Sequence, residues 1–145
     1  MDKYDITIEE LFVNDKKLEC SAQSIIDDSI KTSEYFNEYN KLFSLQKNKL
    51  NRLKKKQNKL YLKLQKYFSG KDDPEVYKEK PLNLKLRDAE VKKEIEVHPE
   101  YEKILEEVEK QEEIVDHIER VLSHIKERGY AIKNAIDFIK FQAGM

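Results

Sequence analysis

The sequence predicts an all-α protein: two long heptad-patterned helices folded as an antiparallel hairpin, joined by a proline-containing connector and preceded by a short N-terminal helix. Three observations predict it. Neither glycine nor proline occurs before Gly70, and the chain holds only three of each, so its first half has little available to it except helix. Charged and hydrophobic residues each make up 39% of the composition, the balance of a long-helix protein. Finally, two stretches carry apolar residues at strict heptad spacing, and no strand-sized alternating run competes with them. At 145 residues the chain is read as one helical domain. Its parts are a short N-terminal helix (1–20), a long basic helix (21–69), a connector (70–99) and a second long helix with an oligomerisation end (100–145).

Thr7 precedes Ile8, Glu9 and Glu10 and suits the cap of a short amphipathic helix running to about Asp15. The first long helix is expected to begin near Ser21 to Ser24. Its seam reads Phe36, Tyr39, Phe43, Gln46, Leu50, Leu53, Gln57, Leu60, Leu64 and Tyr67, the narrow apolar line of a coiled coil rather than a broad globular face. Ser69-Gly70 ends it, the glycine being free to adopt the left-handed conformation that closes a helix.

All three prolines, Pro74, Pro81 and Pro99, fall in the connector, which also contains a short alternating run, Leu82-Asn83-Leu84-Lys85-Leu86, suited to extended chain. Pro99 fits the first turn of the second long helix, with Glu100 and Glu102 following at its positive end. The second seam reads Tyr101, Ile104, Val108, Gln111, Val115, Ile118, Leu122, Ile125, Gly129, Ile132, Ile136, Ile139 and Ala143. Two such helices are not stable singly in water, so they pair. Gly129 within a strong helix costs about 1 kcal/mol relative to Ala, and close backbone packing is expected there.

From Tyr130 to Ala143, nine of fourteen residues are apolar. A helix apolar around most of its circumference needs more than one neighbour, which a hairpin does not supply. Self-assembly through this end resolves the mismatch; the alternative is that the short N-terminal helix folds back over it.

Net charge is −1, unevenly distributed. Between Glu38 and Asp72 there is no acidic residue and there are eleven basic ones: Lys41, Lys47, Lys49, Arg52, Lys54, Lys55, Lys56, Lys59, Lys63, Lys66 and Lys71. None occupies a seam position, so one flank of the first long helix forms a cationic strip, with Tyr61, Tyr67 and Phe68 in or beside it and Leu62 projecting away from the seam. Lysines that neutralise phosphates, interleaved with aromatic faces for bases, suit single-stranded nucleic acid. A second reading is intramolecular: Glu100 to Glu119 holds nine acidic residues against two lysines, and antiparallel pairing would lay this stretch beside the basic one.

Several chemistries are disfavoured. Glycine occurs only at 70, 129 and 144, so no phosphate-cradling loop exists, and Ser69-Gly70-Lys71 lacks that loop's other glycine. His117 and His124 could share a face with Glu113 one turn before His117, but a two-metal carboxylate site requires Glu-x-x-His repeated on a second helix. A solvated or interfacial role for these histidines is expected, with no metal and no cofactor. Cys20, the single cysteine, has no internal disulfide partner and is expected to be a small buried residue in a reducing compartment. No apolar stretch approaches the roughly 20 residues of a membrane span, and the N-terminus lacks a signal peptide's apolar core. The chain is therefore expected to be non-enzymatic and to work, off the membrane, in the cell that makes it.

At the C-terminus the run Lys126-Glu127-Arg128-Gly129-Tyr130-Ala131-Ile132-Lys133, followed by Asp137, Phe141 and Ala143-Gly144, resembles the end of the UvsY-type recombination mediators of T-even-like tailed phages. A second point of resemblance is Tyr67-Phe68-Ser69-Gly70 after a basic helix. The resemblance implies a protein of phage homologous recombination, repair and replication that binds single-stranded DNA and forms a ring-like homo-oligomer, a hexamer or heptamer. It implies loading of a RecA-like recombinase onto DNA covered by the phage single-strand binding protein, in the cytoplasm of the infected bacterial host. In that family the DNA-contacting basic residues lie just before the aromatic-Ser-Gly unit. Candidate DNA contacts are accordingly Lys49, Arg52, Lys54, Lys55, Lys56, Lys59, Lys63, Lys66 and Tyr67, with Lys59, Lys63 and Lys66 nearest the family's stretch. The C-terminal helix is the family's assembly element, and Gly129, Tyr130, Ile132, Ile136, Ile139 and Phe141 are the candidate oligomer contacts. Two other classes stay open: a structural or chaperone-like coiled-coil scaffold without nucleic-acid binding, and a general nucleoid or RNA-binding protein.

Overall fold

The computed structural model describes residues 5–15, 25–82 and 85–144. Cys20, the expected start of the first long helix and the centre of the Leu82–Leu86 run lie outside the described residues. Five helices follow one another: α1 (Ile8–Asp15), α2 (Ile25–Phe68), α3 (Pro74–Glu79), α4 (Asp88–Glu96) and α5 (Pro99–Gln142). No strand occurs among the described residues. The all-α expectation and the two long helices stand.

The local chemistry at the helix ends explains their bounds. Thr7 caps α1 reciprocally: the Glu10 backbone N–H donates to Thr7 Oγ1 at 3.2 Å, and the Thr7 N–H donates to Glu10 Oε2 at 2.9 Å. At the other end of α2, Gly70 has φ +76°. The Lys71 N–H donates to the Lys66 carbonyl and the Gly70 N–H to the Tyr67 carbonyl, both at 3.2 Å, the pair of bonds that closes a helix on a left-handed residue. Pro74 and Pro99 each open a helix, where a missing N–H costs nothing.

The chain forms two compact units, each described separately. The first contains the described residues up to Asn48 together with those from Glu112 onward. Here α2 and α5 run antiparallel. Tyr39 packs with Val121 and Ile125, whereas Arg128 of α5 reaches back to Asp28, its Nη2 lying 3.4 Å from Asp28 Oδ1. The Arg128 guanidinium also lies 5.0 Å from the centre of the Tyr35 ring, which offers the cation its electron-rich face.

The short N-terminal helix does not cover the C-terminal end, the alternative that composition left open. Instead α1 docks near Tyr39 and His117. Leu11 is fully buried, Phe12 presents its ring edge-on to His117 at 4.8 Å, and Asp15 bridges the two long helices. Its Oδ1 accepts from the Tyr39 hydroxyl at 2.7 Å and its Oδ2 lies 2.6 Å from His117 Nε2. Of the two roles expected for the histidines, His117 takes the interfacial one as a buried tie between helices, and His124 the solvated one, exposed beside Glu127 at 3.2 Å.

Close backbone packing at Gly129 is not found. A Cβ placed there would meet Thr32 Cγ2 at 4.0 Å, an ordinary contact. The position costs helix stability without a compensating approach among the described residues of this chain.

The second unit, Lys49–Gln111, brings together the end of α2, α3, α4 and the start of α5. The connector is more ordered than the sequence predicts: α4 buries Val91 and Ile95 against Leu64 of α2, with Leu60, Tyr61, Phe68, Leu86 and Tyr101 packed around them. The Arg87 N–H donates to Glu90 Oε2 at 2.8 Å, fixing the start of α4.

Burial first, and then the hydrogen bond to Asp15, push the Tyr39 hydroxyl above its ordinary range. The folded state thus favours the neutral phenol. Its contribution to stability is complete below the ordinary tyrosine value near about 10 and is lost as pH rises from there toward the folded value. The stability difference between wild type and Tyr39→Phe should accordingly be constant from about pH 7 to 9 and shrink above about pH 10, measured by denaturant titration; a difference independent of pH would refute this linkage. Gly129→Ala should raise protomer stability by about 0.5–1 kcal/mol, read as a higher Tm at fixed protein concentration.

Candidate nucleic-acid interface

The basic residues of α2 are placed by the seam. Positions Lys49, Arg52, Lys56, Lys59, Lys63 and Lys66 each precede a seam residue, Leu50, Leu53, Gln57, Leu60, Leu64 and Tyr67. Because the seam repeats every 3.5 residues, a set displaced from it by one residue forms a parallel stripe about 100° around the helix. The seam side chains are buried or half-buried, and of the eleven basic residues only Lys49 is not exposed.

Ion pairing leaves most of this charge available. Among the described residues, Arg52, Lys55, Lys56, Lys59 and Lys63 form no ion pair, while Lys49 and Lys54 each have a hydrogen-bonding or electrostatic partner. Lys66 Nζ lies 3.6 Å from Asp72 Oδ1. The expectation that the acidic stretch of α5 pairs off the basic one thus does not hold for the centre of the stripe.

The aromatic candidates fare differently. Tyr61 tilts against Tyr101, with ring centres 6.0 Å apart. Tyr67 stacks on Tyr77 at 5.5 Å with an interplanar angle of 21°, meets the Phe68 ring edge-on at 5.1 Å, and donates its hydroxyl to the Lys80 carbonyl at 3.0 Å. Its ring is largely committed to fixing the turn after α2. Leu62, by contrast, projects into solvent with 54% of its surface exposed.

Tyr77 is a structural residue that sequence reasoning did not single out. Its hydroxyl donates to the Tyr67 carbonyl at 2.8 Å and accepts from the Asp72 N–H at 3.1 Å, so a side chain of α3 adds a second bond to a carbonyl that already accepts from the Gly70 N–H at the end of α2.

The candidate oligomer contacts divide along α5. Ile132 is buried, and Gly129 and Ile136 are half-buried. Beyond them Phe138, Ile139 and Phe141 are 59%, 52% and 78% exposed, and Tyr130 is 70% exposed. Among the described residues the seam therefore runs out of partners before the helix ends. Asp28 near the start of α2 lies against Arg128, so the last turns of α5 extend past that start with apolar side chains uncovered.

Among the described residues, no cluster of His, Cys, Asp and Glu is arranged to hold a metal ion, and no helix is long and apolar enough to cross a membrane.

A family model described as "Recombination, repair and ssDNA binding protein UvsY" matches residues 5–145. The chain belongs to the UvsY family. The crystal structure of the bacteriophage T4 recombination mediator protein UvsY is similar to it with a TM-score of 0.85 and 18% sequence identity, over 96% of this chain and 99% of that one. At that identity the likeness speaks for the fold. No curated protein matches the chain by sequence. The UvsY family assignment agrees with the resemblance first seen in the Arg128-Gly129-Tyr130-Ala131-Ile132-Lys133 run.

Proposed function

We propose that this chain is a phage recombination mediator, a binding protein without catalysis of its own, whose α2 stripe holds the backbone of single-stranded DNA. The observation that carries the reading is the stripe itself. Arg52, Lys56, Lys59 and Lys63 stand in one exposed line with no ion pair among the described residues, in a chain of the UvsY family. A row of flexible ammonium and guanidinium groups neutralises phosphates and releases counterions without reading base edges, which favours strands of any sequence.

The uncovered apolar end of α5 supports self-assembly. Burying Phe138, Ile139 and Phe141 against copies of the chain would remove exposed apolar surface at about 25 cal/mol per Å². A closed ring of such copies sets several stripes around one axis, and a strand bound to one stripe meets the next at high effective concentration. Wrapping of that kind competes with a single-strand binding protein for the same strand and presents it to a RecA-like recombinase. The site of action is the cytoplasm of the infected host.

Lys59→Ala combined with Lys63→Ala should weaken single-stranded DNA binding and leave assembly intact. The slope of log affinity against log salt should become shallower by about 1.4, since each phosphate contact to a single strand contributes about 0.7. An unchanged slope would show that these lysines touch no phosphate.

Phe138→Asp with Phe141→Asp changes only exposed side chains, so the protomer should keep its helicity while sedimentation shows the assembly dissociated. On an oligonucleotide long enough to span several protomers, the dissociated variant should bind far more weakly than wild type although no basic residue has changed. Equal affinity would mean that each stripe acts alone.

A further inference from the structure

The stripe ends beside a groove that its phosphate-binding role does not use. Past Lys66, α2 closes at Gly70, and the chain returns through α3 to Pro81 and Leu82. Between these segments lies a groove of about 750 Å³, lined by Phe68, Tyr77, Pro81, Leu82, Lys85 and Leu86 around the Ser69–Gly70 turn. That volume is within the roughly 300–1,000 Å³ of small-ligand pockets. A smaller cavity of about 380 Å³ shares Ser69 with it and is bordered by Lys66 and Lys71.

We infer that this groove is a nucleobase-binding subsite, taking an unstacked base of the strand whose backbone lies on the α2 stripe. The inference rests on the single-stranded DNA reading above. Three features favour a base as occupant. The lining is aromatic and apolar on one side, from Phe68, Tyr77, Leu82 and Leu86, which suits the flat apolar faces that every base presents. Exposed cations stand close by: Lys85 lines the groove itself, Lys71 borders the adjoining cavity, and Lys66 borders the same cavity while lying 3.6 Å from Asp72; these are the cations that would hold the flanking phosphates. Its position continues the stripe, whose last member, Lys66, is two residues from Phe68.

The walls are also held in place. Tyr77 is fixed by its hydroxyl bonds to Tyr67 and Asp72 and by stacking on Tyr67, and Phe68 by packing in the core with Leu64 and Ile95. A preformed aromatic wall binds a base without first ordering side chains. The commitment of Tyr67 to Tyr77 then has a function: Tyr67 supports the ring that borders the groove rather than contacting DNA itself.

The test compares oligo(dT) with an abasic deoxyribose-phosphate strand of equal length and charge, each titrated against the full-length protein. Wild type should prefer oligo(dT) by roughly 5- to 100-fold, the range that base–aromatic stacking commands. Leu82→Glu, which puts a carboxylate in the groove, should abolish most of that preference, and Lys85→Ala should weaken both strands about equally. Helicity and sedimentation establish that each variant is folded and assembled. Equal wild-type affinity for the two strands overturns the subsite while leaving the backbone reading intact. A preference that survives in folded Leu82→Glu overturns this groove as its location. Failure of wild type to bind either strand overturns the single-stranded DNA reading, and the subsite with it.

Discussion

Each of the two 44-residue helices carries one narrow apolar seam, and a single seam is stable in water only when another helix covers it. This constraint decides where every other kind of side chain can go. On α2 the seam residues Tyr39, Gln46, Leu50 and Leu64 are buried; on α5 so are Val108, Gln111, Val115, Ile118, Ile125 and Ile132. Two glutamines in these lines are costly to bury unless their amides are satisfied, and each has a partner.

Most of this was legible in the sequence because it depends on local chemistry. The Thr7 cap, the left-handed Gly70 and the Pro99 start act within a few residues of themselves, and a heptad line declares its own periodicity. The parts that were not legible depend on contacts between elements distant in sequence. In α4, Val91 and Ile95 are one apolar pair at i, i+4, too short a pattern to separate from a loop until Leu64 is seen to cover it. His117 reads as a polar residue beside the seam; only the approach of Asp15, 102 residues away, makes its burial tolerable. Gly129 meets no close approach among the described residues of its own chain, where an added Cβ would lie at an ordinary 4.0 Å from Thr32 Cγ2.

The candidate site shows the same division. The stripe is fixed by charge and periodicity and needed no tertiary information. Tyr67 did: its position beside the lysines implied a stacking face for DNA, whereas the ring lies against Tyr77 and Phe68 and its hydroxyl serves the Lys80 carbonyl. A connector residue, Tyr77, has taken the stacking partner that sequence spacing offered to a base.

A line of like charges at i, i+3 and i+4 is unfavourable for the helix that carries it, by about 0.2–0.5 kcal/mol for each close pair. On α2 that repulsion is borne by the seam one position away, and most of it is screened by salt because the side chains are exposed. The acidic residues of α5 could have relieved it through short ion pairs, yet the centre of the stripe has none among the described residues. Pairing would have satisfied the lysines internally and made each phosphate contact compete with a carboxylate. Leaving them solvated keeps their counterions exchangeable, and it is the release of those counterions that drives binding to a polyphosphate. The fold therefore tolerates a small standing repulsion on one helix, anchored by burial on the adjacent face, and the same arrangement keeps that charge in solvent, as the proposed contact with a strand requires.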